Sequence, residues 1–136
     1  MQTSAPCVFA CGNVVHVNDL VDNVSAESAQ AGKFAARYAL GKLGAEQKTV
    51  SCVTGRNVRY LCPQTIDANQ VDGKVSVYFR VLQPELNVRL IARCGDEIIY
   101  SHKEFRVNPG EMNHVNIETG KLNGDSVTVE VIKEDK

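Results

Sequence analysis

The sequence predicts a mainly β protein, in which an antiparallel immunoglobulin-like sandwich follows a short strand–loop–helix segment. Two observations support this prediction. Along the last two thirds of the chain, hydrophobic residues alternate with polar ones, and turn residues recur every ~8–12 positions. Before that region, small and apolar residues recur at three- and four-residue spacing, which is typical of a helix. About seven or eight short strands are expected in the sandwich.

Length and composition exclude several classes of protein. The chain has 136 residues, 43% of them hydrophobic, and a net charge of -1. Without a basic excess, neither nucleic acid nor a membrane surface is an expected partner. No apolar run approaches the ~20 residues of a membrane span, and the N-terminus lacks the pattern of a secretory signal. The five cysteines are scattered and odd in number, which favours reduced thiols in a cytoplasmic protein.

Residues 1–44 are predicted to form the first part of the chain. The apolar run Cys7–Cys11 is expected to be a buried strand. A loop then leads to Asp19, a suitable N-cap, and the periodic pattern predicts a helix from Leu20 to about Leu40. This helix carries many small residues, so we expect another backbone or a flat ligand to come close to it. Gly41 and Gly44 are expected to end the helix. Its small residues are Ala29, Ala31, Gly32, Ala35 and Ala36.

Residues 48–136 are predicted to form the sandwich. Alternation is clearest in three segments, KVSVYFRV, NVRLIARC and SVTVEVIK, each with one apolar and one polar face. Such faces are expected when two sheets each turn one side to water. Turn residues separate the strands. The shorter strand candidates are TVSCV, NVRYLC, EIIYS, EFRV and NHVNI.

The residues alone indicate no catalytic group and no metal site. Cys7 and Cys11 would lie ~13 Å apart on a strand, too far for a disulfide, and are interpreted as buried core residues. The three histidines lack ligand spacing to one another. Asp19 and Asp22 are most simply helix-start residues. No phosphate-binding GxGxxG occurs, and we find no catalytic constellation in the sandwich.

The segment TSAPCVFACGN, residues 3–13, resembles the second flavin fingerprint of the pyridine nucleotide-disulfide oxidoreductases. That pattern is a threonine, a proline-glycine turn, an apolar strand and Gly-Asp. In this sequence Cys7 stands where the turn usually has glycine. The resemblance continues through DLVDNV, residues 19–24, and through the Ala31-Gly32 helix. It is strongest to the branch found beside anaerobic glycerol-3-phosphate dehydrogenases, in which a β-rich tail similar to residues 56–117 follows the helix.

The resemblance implies a FAD-dependent parent enzyme that takes electrons from NAD(P)H. It implies that Gly12 lets the backbone approach the cofactor, and that Asn13 replaces the aspartate that bonds the ribityl chain. The following helix would point its N-terminus at the pyrimidine end of the flavin. The cofactor-binding residues implied in this way are Gly12, Asn13, Val21 and Asp22.

The resemblance covers only the C-terminal end of a family protein. The N-terminal Rossmann unit, the NAD(P)-binding insert and a redox CxxC are missing, so we interpret the chain as a piece that does not retain FAD by itself. The expected partners are the remainder of the parent flavoprotein, a second subunit or a redox partner. The alternative is a complete, non-enzymatic β-sandwich binding module in which the flavin-like segment is a coincidence.

Overall fold

The computed structural model describes residues 1–44, 46–71 and 73–134. Strands account for 45% of the chain and helix for 19%, so the prediction of a mainly β protein with one helix is confirmed. The chain divides into two units, Met1–Ala45 and Glu46–Lys136.

The first unit is built around a single helix, α1, Val21–Ala39, which follows a 3-10 turn at Gly12–Val14. Gly41 ends α1 as predicted, with a left-handed φ of 63°. Its N–H donates to the carbonyl of Tyr38, and the next N–H donates to the carbonyl of Arg37. This pair of bonds is a Schellman motif, which satisfies the last carbonyls of the helix.

Two predictions for the first unit are wrong. Asp19 is not the N-cap of α1, because Leu20 occupies that position and no side chain caps the helix. Residues 7–11 are not a buried strand. Cys7 is exposed and has a left-handed φ of 68°, which interrupts an extended chain. The segment forms only an isolated bridge between Gln2 and Phe9.

The second unit contains eight strands in its described residues. They form one sheet of five strands in the order β3-β1-β8-β5-β6 and one of three in the order β2-β4-β7. Their bounds are β1 Thr49–Thr54, β2 Val58–Cys62, β3 Thr65–Asp67, β4 Lys74–Val81, β5 Glu85–Cys94, β6 Glu97–Val107, β7 Asn113–Glu118 and β8 Ser126–Lys133.

The pairing corrects the predicted strands in three respects. The larger sheet is mixed and not wholly antiparallel, because β1 and β8 run parallel, with Cys52 opposite Val127. The candidates EIIYS and EFRV belong to the single long strand β6, since no turn separates them. The short strand β3 was not predicted, and it pairs with β1 through Val50 and Ile66.

The two sheets enclose one hydrophobic core. Both contribute fully buried side chains, and Phe79 on β4 is the largest of them. Because the alternating residues of β4 and β8 point into this core, the period of two places their valines where the sequence predicts them. The other fully buried side chains of this core include Val50, Val77, Val81, Val107, Val115, Ile117, Leu122, Val127, Val129 and Val131.

Candidate functional site

The four residues that the resemblance implies for the cofactor lie on one loop–helix segment. Gly12 and Asn13 form the start of the 3-10 turn, and Val21 and Asp22 form the first turn of α1. Gly12 is buried, whereas the other three residues are exposed. The structure therefore leaves three of the four side chains accessible to a ligand.

Gly12 is fixed against α1 by its backbone. Its N–H donates to Oε2 of Glu27 at 2.9 Å. Its φ is 73°, a conformation that L side chains rarely adopt, and a Cβ there would lie 3.5 Å from Val24 Cγ1. Space alone would therefore admit a methyl group, and it is the left-handed backbone that requires glycine here.

Glu27 and His16 form a buried pair beneath the loop. The Oε1 atom of Glu27 contacts Nε2 of His16, and their side chains are only 1% and 5% exposed. Both carboxylate oxygens of Glu27 are thus engaged, one by a backbone N–H and one by the imidazole. Sequence reasoning missed this pair. The available signal was the position of Glu27, three residues after Val24 and four before the buried Ala31, on the inward face of α1.

Asn13 and Asn18 link the ends of the same loop. The backbone N–H of Asn18 donates to Asn13 Oδ1 at 3.1 Å, and Asn18 Nδ2 donates to the carbonyl of His16 at 3.2 Å. Because Oδ1 of Asn13 accepts a backbone proton, its Nδ2 amide is the part that can donate to a ligand. Among the described residues, Asn18 Oδ1 is a buried acceptor for which the structure shows no hydrogen-bond partner.

The segment that leads into α1 carries exposed apolar side chains. No side chain caps it, and Asp22 lies in its first turn. Within eight residues of sequence, four large apolar side chains are more than half exposed. These are Val14 (83%), Val17 (67%), Leu20 (61%) and Val21 (75%), which we call the exposed valine–leucine set.

This arrangement fits the pyrimidine and ribityl parts of a flavin. Asn13 Nδ2 and the uncapped helix end are donors suited to oxygen atoms, and the helix end favours negative charge. Asn18 Oδ1 is buried, so it is not offered to a ligand in this conformation. The exposed valine–leucine set offers apolar surface to a flat ring. The donors and the apolar surface are therefore of the types such a group needs.

The cysteines lie in different surroundings. Cys7 is exposed, which contradicts its interpretation as a core residue, and Cys11 is half-buried. In the second unit, burial, reinforced by the nearby Cys62, raises the pKa of the Cys52 thiol to about 12, so it is protonated at neutral pH. No group of three or more His, Cys, Asp or Glu side chains in the described residues could hold a metal ion.

Comparison with protein-family models, with curated proteins and with solved structures returned no match. Across the parts of the chain that the structure describes, no helix is both long enough and apolar enough to cross a membrane.

Proposed function

We propose that this chain is the C-terminal part of a FAD-dependent oxidoreductase that takes electrons from NADH or NADPH. The first unit would supply the Gly12-Asn13 loop and α1 to the flavin site, and the second unit would be an immunoglobulin-like docking sandwich. The proposal rests on the fingerprint resemblance and on the chemistry of the loop. We place the protein in the cytoplasm, because its five cysteines are scattered and odd in number, which favours reduced thiols.

One observation supports the proposal most: the described residues of the first unit form no hydrophobic core of their own. Among its described residues only Gly12, Glu27 and Ala31 are buried. Exposed large hydrophobics are nevertheless numerous, and a segment that buries so little apolar surface cannot offset the entropy of ordering it. The exposed ones are Val8, Val14, Val17, Leu20, Val21, Tyr38 and Leu40.

The small-residue face of α1 agrees with this interpretation. Within the described residues, a Cβ placed on Gly32 would meet no atom within 4 Å. A glycine in a helix costs about 1 kcal/mol relative to alanine, so it is expected where something must come close. We propose that the remainder of the flavoprotein packs on this face.

Within the site, the residues of this chain would bind and orient the cofactor. Asn13 Nδ2 would donate to the ribityl chain, and the uncapped end of α1 would face the pyrimidine oxygen atoms. The exposed valine–leucine set would exclude water from the ring. When bound, FAD supplies the electron transfer from the nicotinamide, which none of these side chains can perform.

The experiment compares this chain with the full-length protein that contains it. We expect the purified chain to be colourless, because the adenosine and pyrophosphate sites of FAD belong to a Rossmann unit. The full-length protein should carry flavin that bleaches on anaerobic addition of NADH or NADPH. Yellow protein with stoichiometric flavin from the chain alone, or a colourless full-length protein, would contradict the proposal.

A further inference from the structure

We propose that Glu27 is the positioning residue of the flavin loop. Resting on the proposed function, this inference assigns to Glu27 the task of holding residues 12–20 in the shape that presents Asn13 and the start of α1 to the cofactor.

The first argument is the burial of Glu27 together with its two contacts. Its side chain is 1% exposed, and a carboxylate is rarely buried unless each oxygen is paired. One oxygen accepts the Gly12 N–H and the other contacts His16. Glu27 therefore fixes the loop at two points four residues apart, both reached from the middle of a rigid helix.

The second argument is that these points connect directly to the ligand-facing groups. The carbonyl of His16 accepts a hydrogen bond from Asn18, whose N–H in turn donates to Asn13 Oδ1. This chain of bonds leads from Glu27 to the Asn13 amide. Because Oδ1 of Asn13 already accepts a hydrogen bond in this chain, Nδ2 is the end of the amide that is left to face a ligand. Glu27 acts only through these neighbours, without touching the cofactor.

The third argument is geometric. Gly12 has a left-handed backbone, and because glycine adopts many backbone conformations at little cost, contacts must select this one. The bond from its N–H to Glu27 is such a contact. Without it, the turn is free to relax, and both the Asn13 amide and the entry to α1 shift with it.

Two substitutions in the full-length protein distinguish the effect of the length of the Glu27 side chain from the effect of its charge. Glu27→Gln keeps the length of the side chain and an oxygen that accepts the Gly12 N–H. Glu27→Asp keeps the charge but is one methylene shorter, so it cannot reach Gly12 and His16 together. Gln30→Ala is the matched control, because Gln30 is exposed on the same helix. Flavin dissociation constants are measured by absorbance titration, after circular dichroism has established that each variant is folded.

We expect Glu27→Gln and Gln30→Ala to bind flavin within about threefold of the wild type, and Glu27→Asp to bind about tenfold more weakly or worse. The amide signal of Gly12 in ¹H–¹⁵N spectra of this chain should move further in Glu27→Asp than in Glu27→Gln. Equal flavin affinity in the wild type and Glu27→Asp would overturn the inference alone. If Glu27→Asp does not fold, normal flavin binding by a folded Glu27→Gln whose Gly12 signal is displaced would overturn it, because the loop would then move without loss of the cofactor. A wild type without flavin would overturn the proposed function as well.

Discussion

Glu85, the first residue of β5, is expected to stabilise the second unit through three hydrogen bonds. Arg56 donates to both of its carboxylate oxygens, at 2.9 and 2.6 Å, and Asn57 Nδ2 donates to Oε2 at 3.0 Å. The Glu85 side chain is only 10% exposed. These bonds tie the turn between β1 and β2 to the start of β5. We predict that Glu85→Ala destabilises the fold.

The size of the effect follows from what each donor does after the substitution. The Arg56 side chain is 46% exposed, so its guanidinium forms hydrogen bonds with water in the variant. Its two bonds to Glu85 therefore contribute little to the lost free energy of unfolding. Asn57 is half-buried and loses a charged acceptor, which sets the loss at about 2 kcal/mol of unfolding free energy. The hydrogen bonds from Arg56 chiefly lower the pKa of Glu85. Its stabilisation is therefore complete above the ordinary glutamate pKa and is lost as the pH falls through the lowered, folded-state pKa.

Urea denaturation at pH 7 and at steps down to pH 3 measures both effects. Glu104→Ala is the control, because its side chain is 40% exposed and lies 3.8 Å from His102; it should change stability by less than about 0.5 kcal/mol. We expect the difference between the wild type and Glu85→Ala to shrink as the pH falls. A loss below about 1 kcal/mol at pH 7, or a difference that is the same at pH 3, would refute the reasoning.

Three further predictions concern the two units. Residues 46–136 alone should melt cooperatively, because both sheets contribute to their core; a non-cooperative transition in calorimetry would place the domain boundary elsewhere. Gly12→Val should empty the flavin site of the full-length protein. A β-branched residue at a φ of 73° costs ~1–2 kcal/mol and displaces the turn. Full flavin absorbance in this variant would show that the fingerprint is misread. Cys7→Ser and Cys11→Ser should each keep NAD(P)H-dependent bleaching, and fewer electrons accepted per flavin would identify catalytic thiols.

The strands of the second unit were largely predictable because their alternation is local. The segments predicted for β4 and β8 are the strands observed, Lys74–Val81 and Ser126–Lys133. The pairing of the strands was harder to predict. The parallel contact of β1 with β8 joins residues more than seventy positions apart, and no local sequence pattern indicates it. On β5, Ile91 lies on the face predicted to be polar, yet it is buried between Ser101 and Glu130 on the neighbouring strands.

The candidate site was predictable only in outline. The helix α1 was predicted from the pattern and is confirmed to within a residue at each end, whereas the cofactor-binding role of Gly12 and Asn13 stays a prediction. The left-handed Cys7 was not foreseeable, because a non-glycine residue in that conformation depends on its surroundings. Glu27 was missed for a similar reason: a charged residue in a helix normally faces water, and its burial arises from contacts with a loop eleven and fifteen residues earlier in the chain.

The most direct test of the central claim is hydrogen–deuterium exchange of the full-length protein, with and without its flavin, read by mass spectrometry. If the flavin lies against the loop and the start of α1, peptides covering residues 12–24 should gain protection when it binds. Peptides covering the outer strand β6, Glu97–Val107, should be unchanged and serve as the internal reference. Flavin-dependent protection that leaves residues 12–24 unaffected would contradict the account, because the cofactor would then lie elsewhere.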